Sequence, residues 1–262
     1  MAYRFLITER DGPIERLTLN RPDVRNALDE TVIAELTDWA RTIGADQGVR
    51  AVVLSGAGNV FCAGADLAWM SKMVAYTHDE NVSDATAAAA MFGALDTLPV
   101  PLIGRIHGAA LGGGAGLAAV CDIVVAGSDA VFGFTEVKLG IVPAMISPFV
   151  LPRIGQSAAR ELFLTGMRFD AVRAKEIGLV HSVVAPAGID EKVKAYLDEI
   201  LGAAPEAVRT IKALIRRVAG RDAAEVRTLT AETIADRRAS VEGQEGMRAF
   251  LEKRKPAWYV TR

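Results

Sequence analysis

Short apolar runs and longer amphipathic stretches alternate along the first half of the chain. Arg4–Thr8 and Ile14–Asn20 are rich in strand-forming residues, and Asp11-Gly12-Pro13 between them predicts a hairpin. Further strands are predicted at Ala51–Leu54, Leu102–Ile106, Ile123–Ala126, Val131–Phe134 and Leu179–Val184. Strand and helix signals that alternate in this way predict a mixed α/β fold.

Apolar residues that recur every three or four positions predict the helices. The first helix runs to about Ile43 with Asp29 or Thr31 as its cap, and a second covers Val82–Leu98. Strand signals become rare after Pro148, where the helical pattern takes over. It predicts helices at Ile189–Leu201, Pro205–Val218, Ala223–Ala239 and Gly243–Arg254. We therefore divide the chain into an α/β core over residues 1–184 and a helical C-terminal region over residues 185–262.

Composition and charge exclude several classes of protein. The 262 residues carry 30 basic and 32 acidic side chains, so there is no basic excess of the kind that binds nucleic acid. The N-terminal residues lack the pattern of a secretion signal, and the chain has only two cysteines, Cys62 and Cys121. Such a chain is typical of a reducing compartment, so we expect free thiols and a cytoplasmic location.

The most apolar stretch, Ile106–Gly127, contains His107 and Asp122, and its uncharged part is too short to cross a bilayer as a helix. We expect a buried turn, helix and strand there, and no membrane association. The three histidines are far apart in sequence, and neither cysteine lies in a cluster with zinc-like spacing. No metal site is expected.

Three segments carry residues suited to chemistry, and the first is Phe61-Cys62-Ala63-Gly64-Ala65-Asp66-Leu67. Its small residues allow another backbone or a ligand to approach closely. Asp66 can cap a following helix and leave the N–H groups around Ala65 free. The alternative is a tight strand-to-helix turn without a ligand.

The second segment, Gly108–Leu117, follows a strand and opens a helix. N–H groups at such a helix start attract negative charge, and two of them from separate turns can hold a thioester oxygen that becomes an enolate. Gly114-Ala-Gly116-Leu-Ala-Ala119 also fits a dinucleotide fingerprint, with Glu136 twenty residues after Gly116. The strand at Ile123 leaves room for only about two turns of helix, which disfavours this NAD-binding alternative.

The third segment is Phe132–Pro143, in which Glu136 follows a short strand among apolar neighbours. A carboxyl group buried there would have a raised pKa, which suits general acid or base catalysis. The alternative is an exposed glutamate, or one paired with Lys138.

Together and in this order, the three segments resemble the crotonase (enoyl-CoA hydratase/isomerase) superfamily. Arg25-Asn26-Ala27-Leu28 is similar to that family's early turn in contact with coenzyme A, and Arg248–Lys255 is similar to its basic C-terminal helix. The resemblance implies a spiral of ββα units, with a helical C-terminal region that builds a homotrimer or a dimer of trimers.

The resemblance also implies roles for individual residues. The N–H groups of Ala65 and Gly113 would form an oxyanion hole, and Glu136 would move the proton. Coenzyme A, which enters as part of an acyl-CoA thioester and not as a separate cofactor, would lie along Arg25, Ala27, Leu28, Ala63, Asp66 and Leu67. Phe250 and Lys253 would approach the nucleotide of coenzyme A, and a subunit interface is one way for them to reach it. The acyl pocket would be lined by Trp69, Met70, Gly116, Ala144 and Ile146.

The sequence departs from that family at three places, one of which is Ala68, where some relatives place a lysine near coenzyme A. Hydratases of the family carry two catalytic glutamates, and the first of these falls at Gly116, so only Glu136 remains. The segment Ala144–Pro148 stands where many relatives have a glycine run, which predicts a bulkier pocket wall. These segments also resemble bacterial methylglutaconyl-CoA hydratases, which act on branched, carboxylated substrates.

Three functions therefore stay open. The first is an enoyl-CoA hydratase, with a branched or carboxylated enoyl-CoA as a candidate substrate, in which Glu136 transfers the proton at the α-carbon. The second is a Δ3-Δ2 enoyl-CoA isomerase with Glu136 as its only base. The third is a protein that binds acyl-CoA without catalysis.

Overall fold

The computed structural model describes residues 3–259, and over these residues nine strands form two sheets. The strands are β1 (Leu6–Asp11), β2 (Ile14–Leu19), β3 (Ala51–Gly56), β4 (Leu102–Ile106), β5 (Ala109–Leu111), β6 (Ile123–Gly127), β7 (Val131–Gly133), β8 (Arg168–Asp170) and β9 (Ser182–Val184). The larger sheet has the order β1-β2-β3-β4-β6-β9, and the smaller one has the order β5-β7-β8.

Helices cover the sheets and form the end of the described chain. They are α1 (Glu30–Ala45), α2 (Leu67–Met73), α3 (His78–Asp96), α4 (Gly113–Val120), α5 (Ser147–Thr165), α6 (Ala171–Glu176), α7 (Ile189–Gly202), α8 (Pro205–Val218), α9 (Arg227–Ala239) and α10 (Val241–Leu251). Two successive units, β4-β5-α4 and β6-β7-α5, each place one strand in the larger sheet and the next in the smaller sheet. The predicted α/β architecture with ββα repeats is confirmed.

The predicted N-terminal hairpin is confirmed, although β1 covers Leu6–Asp11 and not Arg4–Thr8. β1 and β2 pair antiparallel from Leu6 opposite Leu19 to Asp11 opposite Ile14, and Gly12 in the connecting turn has a positive φ of 58°. Asp29 caps α1, since its carboxylate accepts a hydrogen bond from the Val32 N–H at 2.9 Å. From β2 onward, every neighbouring pair of strands in the larger sheet is parallel.

Some element bounds differ from the prediction. α3 begins at His78 and not at Val82, because Thr77 and Glu80 form a reciprocal capping box that extends the helix. α9 begins at Arg227, four residues later than predicted. The three-residue strand β8, which pairs antiparallel with β7, was missed because so short a segment carries no period. The division at residue 184 stays a prediction, and residues 260–262 of the C-terminal region lie outside the described residues.

Buried side chains form two clusters, one on each face of the larger sheet. The main cluster packs α1, α3, α4 and α5 against the sheet and includes Trp39, Phe61 and Phe132, all fully buried. The second lies between the sheet and α7, and its members are Ile14, Ala51, Val53, Ile103, Val125, Ile189, Val193, Leu197 and Leu201. Burial of this apolar surface is the main force that holds the layers together.

The apolar stretch Ile106–Gly127 forms the end of β4, then β5, α4 and β6. Within residues 3–259, no helix is both long enough and apolar enough to cross a membrane. Cys62 and Cys121 are free and fully buried, and burial raises the pKa of each thiol to about 12.

α8 is anchored at the end of the larger sheet where the parallel strands begin. The Arg209 guanidinium donates to the carbonyl oxygens of Asp46 and Val49, just before β3. Lys212 is buried and pairs with Asp122 at 2.6 Å. α8 therefore attaches at the end of the larger sheet opposite to the end from which the loop after β3 leaves.

Candidate active site

Two backbone turns meet at the carboxyl ends of β3 and β5. Cys62 exchanges backbone hydrogen bonds with both neighbours of Ala110, and each is about 3 Å long. Gly64 has a positive φ of 98°, and a Cβ there would lie 2.9 Å from the carbonyl oxygen of Leu111. Only glycine satisfies both demands, so the first and second candidate segments are in direct backbone contact.

The N–H groups of Ala65 and Gly113 are both left without an internal acceptor. The backbone of Leu28 pairs with both neighbours of Ala65. The Leu28 N–H donates to Gly64 O at 2.7 Å, and the Asp66 N–H donates to Leu28 O at 2.8 Å. The N–H of Ala65 therefore faces away from Leu28. Gly113 is the first residue of α4, where an N–H has no partner within the helix. Over residues 3–259, no hydrogen bond is formed by either N–H.

Glu136 opens a short 3-10 turn directly after β7 and points at the start of α4. Its Oε1 lies 3.3 Å from the position of a Cβ on Gly112, the residue that precedes α4. Its Oε2 is buried and has no hydrogen-bond partner among the described residues. Burial raises the pKa of this carboxyl group. The neighbouring Lys138 is exposed and forms no ion pair with Glu136.

The place of the absent second carboxylate is filled by Ile146. A Cβ on Gly116 would lie well inside van der Waals contact of Ile146 Cγ2, and 3.0 Å from Phe92 Cε1. The Gly116 N–H donates to Gly112 O at 3.0 Å, so Gly116 lies one helical turn after Gly112. Glu136 therefore lies against Gly112 and Ile146 against Gly116 one turn later, and the departures at Gly116 and Ile146 form one contact.

This arrangement suits one kind of chemistry. Two N–H groups can stabilise negative charge on a carbonyl oxygen, and the N-terminus of α4 adds a favourable field. A single carboxyl group with a raised pKa can donate or accept a proton close by. The combination supports formation of an enolate from a bound thioester.

Comparison with known proteins agrees with this chemistry. A family model described as enoyl-CoA hydratase/isomerase matches residues 9–260. The chain belongs to the enoyl-CoA hydratase/isomerase family.

Members of the family with known names or structures are similar over nearly the whole chain. The crotonyl-CoA hydratase of Syntrophomonas wolfei is 35% identical over 257 residues, which cover 97% of this chain and 98% of that protein. The crystal structure of an enoyl-CoA hydratase/isomerase from Marinobacter aquaeolei has a TM-score of 0.93 at 38% identity, covering 98% of this chain and 99% of the other. An enoyl-CoA hydratase from Shewanella pealeana has a TM-score of 0.94 at 36% identity, covering 98% and 96%. The crotonase-type fold is confirmed.

The alternative dinucleotide-binding interpretation is wrong. α4 has only eight residues, and Gly114 and Gly116 lie inside it and not in the turn before it. A Cβ on Gly114 would collide with the carbonyl oxygen of Cys62, so these glycines serve close packing within the enoyl-CoA hydratase/isomerase fold.

Two of the segments predicted to contact coenzyme A lie side by side, and their residues differ in exposure. The Ala63 N–H donates to Arg25 O at 3.0 Å, so the early turn runs beside the first segment. Arg25 is exposed, whereas Ala27 and Leu28 are buried. Leu67 is 83% exposed at the start of α2.

Asp66 faces the interior of the protein and is fully engaged. Its carboxylate accepts hydrogen bonds from the N–H groups of Ala68 and Trp69 and pairs with Arg21 at 2.9 Å. The Asp66 carboxylate therefore stabilises the turn before α2 from the interior of the protein.

The predicted acyl-pocket residues fall into separate places. Ile146 and Gly116 lie beside Glu136, as described above, and Ala144 is exposed in the loop before α5. Trp69 is buried against α3, where its Nε1 donates to Asp84 at 3.1 Å, and Met70 beside it is half-buried. The structure therefore brings Ile146 and Gly116 to the carboxylate, whereas the indole N–H of Trp69 is engaged with α3.

Phe250 and Lys253 lie far from the other candidates within one chain. α10 is held at the opposite end of the larger sheet, where Glu242 accepts hydrogen bonds from the first N–H groups of α8. Phe250 is 83% exposed. A role for these two residues at the nucleotide thus requires a second copy of the chain and stays a prediction.

Sequence reasoning missed Arg21 and Phe92. Phe92 lies within a helical pattern that carries no sign of its contact with Gly116. Arg21 had a detectable signal, because it is a basic residue directly after β2, at the strand end where parallel sheets place their sites.

Proposed function

We propose that this protein is an enoyl-CoA hydratase-type enzyme that acts at the α-carbon of an acyl thioester. The observation that carries the proposal is the half-buried Glu136, whose Oε2 is buried and has no hydrogen-bond partner among the described residues, beside two turns with free N–H groups. The N–H groups of Ala65 and Gly113 hold the thioester oxygen, and their stabilisation grows as that oxygen becomes negative.

In the hydration reaction, the oxygen of water bonds to the β-carbon and the π electrons move to the thioester oxygen. Glu136 delivers a proton to the α-carbon, and the proton released by the water restores the acid. With Ile146 in place of a second carboxylate, Glu136 or a group of the substrate positions the water. A branched acyl group with its own carboxylate supplies such a group, and we propose this substrate class.

The contact between Gly116 and Ile146 also favours a second candidate, a Δ3-Δ2 enoyl-CoA isomerase. In this reaction an ionised Glu136 removes a proton from the α-carbon of a 3-enoyl thioester and returns it two carbons along. No water has to be positioned, so one carboxylate is enough.

Absorbance of the conjugated thioester distinguishes these functions. Loss of absorbance from a 2-enoyl-CoA is expected if the enzyme hydrates, and branched, carboxylated substrates are then compared with unbranched ones. A gain of absorbance from a 3-enoyl-CoA, without loss from the 2-enoyl isomer, would establish the isomerase instead. Binding of acyl-CoA with no change in either assay, for unbranched and for branched, carboxylated substrates alike, would overturn both and leave a non-catalytic binding protein.

We also propose that the enzyme works as a homotrimer or a dimer of trimers, in the cytoplasm. Ile211 and Ile215 on α8 are at least half exposed, and none of the α9 side chains is buried. Exposed apolar surface of this kind is typical of an interface, and a second copy would also bring Phe250 and Lys253 toward a site. The two free, buried cysteines fit a reducing compartment.

Replacing Ile215 by glutamate is expected to dissociate the assembly, because a charged side chain would be buried at the interface. Light scattering coupled to size-exclusion chromatography measures the mass. The control is Lys194→Glu, an exposed position on α7. A wild-type protein that runs as a monomer would contradict the proposal.

A further inference from the structure

The Arg21 guanidinium lies where three turns of the site meet. Its Nη1 donates to the carbonyl oxygen of Ala27 at 2.7 Å, and its Nη2 lies 2.9 Å from Asp66 Oδ2 and 3.1 Å from Asp29 Oδ2. The side chain is only 14% exposed, and its guanidinium stacks 4.5 Å above the centre of the Phe5 ring. The planar, multidentate guanidinium is well suited to join several acceptors at once.

Each polar partner of Arg21 belongs to an element that shapes the site. Ala27 lies in the early turn, and the next residue, Leu28, pairs with both neighbours of Ala65. Asp66 follows Ala65 directly and caps α2. Asp29 caps α1. The Arg21 side chain therefore connects the two backbone segments, around Leu28 and around Ala65, whose pairing orients the Ala65 N–H.

The main chain of Arg21 reinforces this link. Its N–H donates to Asn26 Oδ1 at 2.9 Å, and its carbonyl oxygen accepts the Asn26 N–H at 2.9 Å. Arg25 and Asn26 both have positive φ, a conformation that non-glycine residues adopt at a cost in free energy. Such a turn persists only where its surroundings hold it, and Arg21 supplies several of the contacts that do so.

Removal of Arg21 would also leave the buried Asp66 and the half-buried Asp29 without the cation that they share. Asp29 Oδ2 and Asp66 Oδ2 both lie within about 3 Å of the same Nη2, so they are close enough to repel each other. The relief of that repulsion would separate Asp66 from Asp29 and move the adjacent Ala65 N–H with it.

We propose that Arg21 is a positioning residue that holds the Ala65 N–H in the geometry needed to stabilise the enolate oxygen. The inference rests on the proposed function of that N–H. Loss of one oxyanion donor typically lowers kcat by about 10²–10³-fold, and a shift of about 1 Å in a positioned group has effects of similar size.

The test uses the variants Arg21→Gln and Arg21→Lys of the full chain. The matched control is Arg209→Gln, because Arg209 is 13% exposed, also bonds two carbonyl oxygens, and lies at the other end of the sheet. We expect Arg21→Gln to lower kcat at saturating substrate by at least about tenfold. Arg21→Lys keeps the positive charge but loses the planar guanidinium that joins several acceptors. Its kcat should therefore lie between those of Arg21→Gln and wild type. Arg209→Gln should lower the Tm without lowering kcat.

Amide hydrogen exchange gives a second measurement that does not depend on turnover. Residues 61–70 should exchange faster in Arg21→Gln than in wild type, and at an unchanged rate in Arg209→Gln. A folded Arg21 variant with kcat within about threefold of wild type and unchanged exchange over residues 61–70 would overturn the positioning role. If the wild-type enzyme turns over no enoyl-CoA, the proposed function fails, and the exchange measurement alone then decides whether Arg21 holds the turn.

Discussion

Replacement of Glu136 by glutamine is expected to lower kcat by about 10³-fold, within the range typical for loss of a general acid or base. Glutamine has nearly the same shape but can neither donate nor accept the transferred proton. The N–H groups of Ala65 and Gly113 remain, so binding of the thioester should change much less than turnover. Steady-state kinetics with the substrate identified by the absorbance assay would show a fall in kcat at nearly constant KM.

The pH profile of the wild-type enzyme reports how Glu136 acts. Burial raises the pKa of this group, which keeps the proton available closer to neutral pH. If Glu136 donates the proton during hydration, kcat/KM should fall as the pH rises through the raised pKa. If it acts as the base of an isomerase, it must be ionised, and kcat/KM should fall as the pH decreases through the same value. Whichever of these two pH dependences of kcat/KM the wild type shows should be absent in Glu136→Gln.

The same substitution should not destabilise the fold at neutral pH. A carboxyl group whose pKa is raised in the folded state contributes most stability below its unfolded pKa of about 4.3, and that contribution is lost as the pH rises through the folded pKa. Glutamine does not ionise, so the Tm of Glu136→Gln relative to wild type should increase over this pH window. Differential scanning calorimetry at several pH values measures the difference.

Glu15 provides a matched control. It is also buried, burial raises the pKa of its carboxyl group, and it lies beside Trp39 at the end of β2 away from the site. Glu15→Gln should leave kcat unchanged. Turnover by Glu136→Gln at the wild-type rate would remove Glu136 from the mechanism.

Substitution of Gly116 by alanine is expected to lower the free energy of unfolding by about 1–3 kcal/mol, the usual range for overpacking a core. The new methyl group would collide with Ile146, which is 2% exposed and whose carbonyl oxygen accepts two hydrogen bonds at the start of α5. Ile146 therefore has little freedom to withdraw. Each kcal/mol corresponds to a Tm change of about 2–4 °C in a chain of this size.

Gly93→Ala is the control for this prediction. Gly93 lies within α3, and a Cβ there would meet no heavy atom within 4 Å. Alanine is favoured over glycine in a helix by about 0.5–1 kcal/mol, so this variant should be as stable as wild type or more stable. Equal Tm values for Gly116→Ala and wild type would show that Ile146 does not fill the space beside Gly116.

A double-mutant cycle tests whether Gly116 and Ile146 act as one unit. Ile146→Ala alone should cost about 2–5 kcal/mol, as is usual for truncation of a buried isoleucine. In combination with Gly116→Ala the loss should be smaller than the sum, because the new methyl group enters the vacated space. Gly116→Glu combined with Ile146→Ala places a second carboxylate one helical turn from Gly112, the glycine that lies beside Glu136 Oε1. We expect this variant to hydrate unbranched 2-enoyl-CoA better than wild type.

The sequence by itself determined the features that depend on neighbouring residues. The hairpin of β1 and β2, the cap of α1 and the helical character of α7–α10 follow from local spacing and turn chemistry, which act over a few residues. The segments around Ala65, Gly113 and Glu136 could be recognised because each combines small residues or apolar neighbours with one reactive group within a short span.

Only the tertiary structure decided how residues distant in sequence combine. Ile146 lies thirty residues from Gly116, and Arg21 lies 45 residues from Asp66, so no local pattern links the members of either pair. In each sheet the ends of the parallel strands are aligned, and the backbone pairing of Cys62 with Ala110 joins the segment after β3 to β5 of the smaller sheet. This arrangement brings the loops after β2, β3, β5 and β7 together. Close packing then decides which side chain fills the space beside Glu136, because volume and contact depend on all neighbours at once. For that reason the sequence predicted Glu136 as the single carboxylate and Ile146 as a pocket residue, whereas the contact of Ile146 with Gly116 and the links made by Arg21 emerged only from the fold.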